Sequence, residues 1–145
     1  MFEASQIGST SAEPETLWRV LSEVAEWPRW HPGYMAASIE GELTEGARGT
    51  VTLPNGAVRP FIVWEADPPR FLRYGTVDFG NEVAFAYRFN QTGDGRTSVT
   101  TSATIRGWLS PVLARLFGRV IAGYKPDELR QLIAAAESPR LVAGK

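Results

Sequence analysis

The order of its segments constrains this chain most. A strand-like opening, Phe2–Ser9, leads into a short aromatic helical patch. A long run of strand patterns follows, and one long helical pattern closes the chain. The patch is Leu17-Trp18-Arg19-Val20-Leu21, followed by Trp27-Pro28-Arg29-Trp30-His31-Pro32. A sheet and a helix each have an apolar face to bury against a partner. This order predicts a curved antiparallel sheet wrapped around one helix, with an apolar pocket between them.

Size and composition permit that arrangement. At 145 residues the chain suits one domain. We assign residues 1–138 to it and 139–145 to a frayed tail. A chain of this size buries roughly 68–70% of its unfolded surface, so a core forms without staples. The net charge of −1 gives no strong field for nucleic acid. Arginine supplies all the basic residues except Lys125 and Lys145. Its planar fork pairs with carboxylates and stacks on rings. Cysteine is absent, which excludes disulfides and thiolate chemistry, and one histidine excludes a His-rich zinc site. We expect neither metal nor cofactor. There is no basic-plus-apolar leader and no membrane-length apolar run, so the expected location is the cytoplasm, with no integral membrane segment.

Local signals divide the chain further. Ser11 is placed to cap a first helix whose opening turn holds Pro14 between Glu13 and Glu15. Leu17, Trp18, Val20, Leu21 and Val24 recur at helical spacing, and Pro28 should end or kink the pattern. A second short helix fits Ala25–Trp30. Strand patterns follow at Met35–Leu43, Arg48–Leu53, Val58–Ala66, Arg70–Val77, Asn81–Asn90 and Arg96–Arg106. Pro60 implies an edge or a bulge. Val83, Phe85, Tyr87 and Phe89 share one face, as do Val99, Thr101, Ala103 and Ile105. Ser110-Pro111 marks a helix start, with Ser110 as cap. That helix should run to about Glu137, kinked at Pro126.

These segments resemble the START-like, or SRPBCC, superfamily, which includes the polyketide cyclase/dehydrase and lipid-transport group. The resemblance spans about residues 2–137. It rests on Pro14 through Val24, on Trp27-Pro28-Arg29-Trp30 and on Ile39-Glu40-Gly41-Glu42-Leu43 with Glu45-Gly46. The Pro68-Pro69-Arg70 turn, the Gly93-Asp94-Gly95 hairpin and the long last helix add to it. It implies an α+β helix-grip fold: a seven-stranded curved antiparallel sheet, two short helices after the first strand, and a long C-terminal helix. Members bind lipids, sterols, polyketides or plant hormones. Some cyclise polyketides and some activate chaperones.

Candidate pocket residues come from three places. The sheet offers Phe61, Val63, Tyr74, Phe85, Tyr87, Thr101 and Ala103. The last helix offers Leu113, Phe117, Val120, Ile121 and Tyr124. Trp27, Trp30, His31 and Tyr34, with the start of that helix, would form the mouth. The same rings also serve a core that simply packs. His31 is the one side chain with an ordinary pKa near neutrality, which admits acid/base chemistry. The competing reading, which its loop position favours, is a surface histidine stacked on a tryptophan. Tyr87 and Arg73 are further candidates for moving a proton or holding an anionic ligand group. Arg59 shares the parity of Phe61 and Val63, whereas Arg88 and Arg106 fall on the outer faces. Asp78 and Glu82 flank the Phe79-Gly80 turn, where solvent is the expected surrounding.

Three functions follow as expectations. The leading one is carriage of a hydrophobic, lipid or polyketide-like ligand, by a monomer or homodimer. The second is a cyclase or dehydratase using the same pocket. The third is a protein-interaction module. A carrier implies an apolar cavity without clustered ionisable groups; an enzyme implies at least two polar side chains within hydrogen-bond reach inside it. An interaction module implies a filled core and an exposed apolar patch.

Overall fold

The computed structural model describes residues 2–78 and 80–137. The expected tail, 139–145, and Phe79 of the Phe79-Gly80 turn lie outside the described residues. Seven strands form one antiparallel sheet: β1 Phe2–Thr10, β2 Ala36–Ile39, β3 Arg48–Thr52, β4 Val58–Asp67, β5 Phe71–Asp78, β6 Asn81–Gln91 and β7 Thr97–Arg106. Their order is β1-β7-β6-β5-β4-β3-β2. The first strand thus pairs with the last, Ala4 opposite Ala103, and the other neighbours are successive hairpins. Helix α1, Pro14–Ser22, and a 3-10 helix, Val24–Arg29, join β1 to β2. After β7 come α2, Ser110–Leu113, a π-helical turn, Ala114–Gly118, and α3, Arg119–Glu137. This is the helix-grip architecture that the resemblance implies.

Alternation fixes which strand residues meet the helix. On β7, Thr97, Val99, Thr101, Ala103 and Ile105 are buried, while the residues between them are half-buried. Across β6, Phe85 faces Ala103 and Tyr87 faces Thr101 in register, so the two expected apolar sets do share one face. Leu17, Leu21, Val24 and Trp27 pack onto the other end of the same layer as Val51, Phe61, Val63, Leu72 and Tyr74. Trp27 is the centre of that end. Its ring lies 5.0 Å from Tyr74 and 5.7 Å from Phe61, and its Nε1–H donates to the Leu21 carbonyl at 2.8 Å.

Several local expectations need correction. Neither helix takes its cap from the expected serine. Thr10 Oγ1 accepts the Ala12 N–H and turns the chain, so α1 begins at Pro14 with Glu13 at the N-cap. Ser110 is the first residue of α2, and Leu109 holds the N-cap. Pro60 lies opposite Thr50 within the sheet, and the register shift of β4 falls between Val63 and Glu65. Pro126 sits inside α3, and a π-helical turn precedes that helix. Glycine allows that turn to press on β1: a Cβ on Gly118 would lie 2.8 Å from Phe2 Cε1. At the far end, the Thr10 hydroxyl donates to Glu137 Oε2, pinning α3 to the end of β1.

Candidate functional site: a buried polar cluster

Helix α3 carries two charged residues on its buried face. Ile121, Lys125, Glu128 and Leu132 are spaced 4, 3 and 4 apart, which places them along one side of a helix. All four are buried, Lys125 to 1% exposure and Glu128 to 0%. Lys125 Nζ lies 3.0 Å from Glu128 Oε1. This contact is an ion pair whose angle is not that of a hydrogen bond. Charges this deeply buried are costly unless they are paired and hydrogen-bonded.

The sheet supplies the hydrogen bonds. The Tyr87 hydroxyl donates to Glu128 Oε2, and the Thr101 hydroxyl donates to the same oxygen at 3.2 Å. Lys125 Nζ in turn donates to Thr101 Oγ1 at 2.9 Å. Thr101 therefore sits between the two charges, accepting from one and donating to the other. Lys125 also lies 5.4 Å from the centre of the Phe85 ring.

His31 completes the cluster from the loop after the 3-10 helix. It is fully buried, stacked on Tyr34 at 3.9 Å and edge-on to Tyr124 at 5.2 Å. The Gly33 N–H donates to its Nδ1 at 3.0 Å. A Cβ on Gly33 would meet His31 Cε1 at 3.0 Å and Tyr124 at 3.1 Å, so a larger residue would crowd both rings. Because Nδ1 accepts, the proton of the neutral ring resides on Nε2. That atom points toward Glu128 Oε2 at 3.6 Å, beyond hydrogen-bond reach. His31 Nε2 and Trp30 Nε1 have no hydrogen-bond partner among the described residues.

Burial sets the protonation states. It pushes the His31 imidazole down to about 4, with the Glu128 carboxylate opposing and the Lys125 charge assisting. Burial also lowers Lys125, against the pull of Glu128. For Glu128, burial acts upward, but the charge that His31 takes on in acid, the Lys125 charge and the donated hydrogen bonds outweigh it and leave the carboxyl below its ordinary range. Burial, first among several causes, drives the phenols of Tyr34, Tyr74 and Tyr87 well above theirs. At neutral pH the cluster is a neutral imidazole, a carboxylate, an ammonium and protonated phenols. The Tyr34 and Tyr74 hydroxyls bond to each other at 2.7 Å.

The structure brings together many of the expected site residues and disperses others. Trp27, Trp30, Tyr34, Phe61, Val63, Tyr74, Tyr87, Thr101, Ala103 and Ile121 are buried. The side chains expected at the mouth, Trp27, Trp30, His31 and Tyr34, are therefore interior, and His31 is not the surface histidine its loop suggests. Leu113, Tyr124 and Phe85 are half-buried and pack against Ala103, Ile105 and Ile121. Phe85 also touches the larger core, so it joins the two groups.

Phe117 and Val120 face outward, at 50% and 63% exposure, because the π-helical turn keeps Gly118 and Ile121 as the inward residues. Arg73 is on the outer face, paired with Glu82 and stacked over Trp64 at 4.6 Å. That contact removes both Arg73 and Glu82 from the layer. Arg59 is half-buried on the face of Phe61 and Val63. The surface also carries a groove of ≈ 610 Å³, lined by Pro111, Ala114, Arg115 and Arg119 on the outside of the helical segment. Lys125 and Glu128 are absent from the sequence-based candidates. Their signal was the interruption of an apolar helical stripe by two charges.

A seven-stranded antiparallel sheet gripping a C-terminal helix defines the START-like class. Similar solved structures include a START superfamily protein of Mycobacterium smegmatis, 14% identical, with 93% of this chain and 97% of that one covered at a TM-score of 0.68. A hypothetical protein of Helicobacter pylori is 15% identical, covering 94% and 88% at a TM-score of 0.75. A protein of Mesorhizobium loti is 19% identical, covering 92% and 95% at 0.70. At these identities the likeness concerns the fold. The model of the polyketide cyclase/dehydrase and lipid-transport family matches residues 4–137, and the chain belongs to that family. No curated protein sequence matches it. Among the described residues, no helix is long and apolar enough to cross a membrane.

Proposed function

We propose that this chain binds a small hydrophobic molecule bearing a hydroxyl or carbonyl group, between the sheet and α3. The observation that carries the reading is the buried Lys125–Glu128 pair with His31 Nε2 held 3.6 Å from the carboxylate. Packing alone is served at lower cost by apolar residues at positions 125 and 128. A polar group on a ligand gives the imidazole N–H and the carboxylate something to bind. The apolar body would lie against Phe85, Leu113 and Tyr124, the half-buried edge of the layer. Burial there contributes about 25 cal/mol per Å² before the costs of association. This departs from a purely apolar carrier, since ionisable groups are clustered at the centre.

A second reading, proton transfer on the ligand, is favoured by one feature. The neutral imidazole faces a carboxylate polarised by two hydroxyl donors, Tyr87 and Thr101, and by the charge of Lys125. In such a pair the Glu128 carboxylate can take a proton from a ligand carbon or hydroxyl and return it at another ligand atom, while the His31 Nε2–H donates a hydrogen bond to the ligand oxygen, the chemistry of a cyclisation or dehydration.

Calorimetric titration with 2-naphthol and with naphthalene tests the binding reading. The two share an apolar body and differ by one hydroxyl. A hydrogen bond to a charged group is worth about 1.5–3 kcal/mol, so 2-naphthol is expected to bind at least about tenfold more tightly. Glu128→Gln should remove most of that difference. Equal affinities, or binding of neither, contradict the proposal.

A further inference from the structure

The outer side of the helical segment after β7 carries an exposed apolar stripe. Val112, Leu116 and Val120 recur every four residues, and Phe117 lies beside them. Exposure along the stripe is 51%, 61% and 63%, with Phe117 at 50%; Trp108, just before it, is exposed to 70%. Contiguous exposed apolar surface of this kind marks an interaction site.

The charge around the stripe identifies its occupant. From Gly95 through Pro126 the sequence has no Asp or Glu. Arg106, Arg115 and Arg119 lie in that stretch and are exposed. Arg115 and Arg119 border the apolar stripe on one side and line the groove with Pro111 and Ala114. An exposed helix with one apolar flank, a basic flank and no acid matches a negatively charged lipid surface. Its aliphatic and aromatic side chains would enter the acyl boundary while the two guanidiniums in the groove hold phosphates.

We infer that residues 108–120 dock this protein on an anionic lipid bilayer. This face lies outside the buried cluster, so the inference does not rest on the ligand reading. The π-helical turn is part of the docking face, which ends at Val120, one residue before Ile121 and shortly before Tyr124 and Lys125. The surface thus adjoins the half-buried edge of the candidate site.

Sedimentation of the full chain with vesicles tests this, comparing equimolar phosphatidylcholine and phosphatidylglycerol with phosphatidylcholine alone. Each cation near an anionic surface is worth roughly fivefold in partitioning. Arg115→Gln/Arg119→Gln should therefore lower anionic-vesicle binding roughly 20- to 30-fold. Leu116→Glu/Val120→Glu should abolish it, and raised salt should weaken the wild type. All four positions are exposed, so both variants should fold, which circular dichroism checks. If the glutamate variant fails to fold, the glutamine variant still decides the matter. Three results overturn the inference: no anionic-vesicle binding at low salt; binding that neither variant alters; or a wild-type dimer in solution that Leu116→Glu dissociates, which would assign the face to a second copy. No ligand is needed, so failure here is distinguishable from failure of the binding proposal.

Discussion

His31 Nε2 lies 3.6 Å from Glu128 Oε2, with both side chains fully buried. The gap is too long for a hydrogen bond and short enough for strong attraction if the ring were charged. Local geometry sets it. Gly33 and Tyr34 hold the ring from the loop side, while Tyr87 and Thr101 hold the carboxylate from the sheet. The site therefore joins a loop, two strands and a helix.

Acid should destabilise the fold in a defined window. The folded His31 pKa, about 4, lies below its ordinary 6.5, so the unfolded chain binds the extra proton. The neutral ring's contribution is thus fully present above pH 6.5 and is lost as pH falls toward 4. A shift of this size corresponds to roughly 3 kcal/mol. Glu128, also lowered, adds a loss in the same direction at lower pH. Urea unfolding at pH 7 and pH 5 should show His31→Asn losing less stability on acidification than the wild type. Equal losses would count against the burial of His31.

Removing one charge of the pair should cost more than removing both. Lys125→Met leaves the Glu128 carboxylate buried without its cation, a change of about 3–5 kcal/mol. Lys125→Met/Glu128→Leu should recover much of that loss, because no buried charge remains. Urea unfolding of the two variants decides it. A double variant at least as unstable as Lys125→Met contradicts the pairing.

Binding should follow the observed faces rather than those assigned from periodicity alone. Phe117→Arg should leave 2-naphthol affinity within about twofold, since position 117 faces outward. Arg73→Ala should do likewise and cost at most about 1 kcal/mol of stability, as expected for a partly exposed ion pair. Phe85→Arg, at the edge of the layer and beside Lys125, should lower affinity at least about tenfold. Calorimetry on the three variants gives the comparison. A strong effect at 117 with none at 85 would reverse the assignment.

The fold was legible because each level of the sequence agreed. Alternation on β6 and β7 set the inward faces, and turn residues separated the strands. Helical periodicity was less sufficient for the last segment. It placed Phe117 and Val120 inward, whereas a wide turn built on Gly118 and its contact with Phe2 rotates them out. The polar centre was half legible: Tyr87 and Thr101 were placed by strand parity, but a residue's depth is a tertiary property. The Trp-His-Pro loop looks superficial in sequence. His31 is buried because Tyr34 and Tyr124 cover it.

The single histidine makes one measurement unusually direct, since its imidazole gives one pair of nitrogen resonances. We predict that these report a neutral ring protonated at Nε2 at pH 7, titrating near 4, and that both move when 2-naphthol binds. A ring titrating near 6.5, or resonances unmoved by a bound ligand, would contradict a buried polar cluster as the ligand-binding centre.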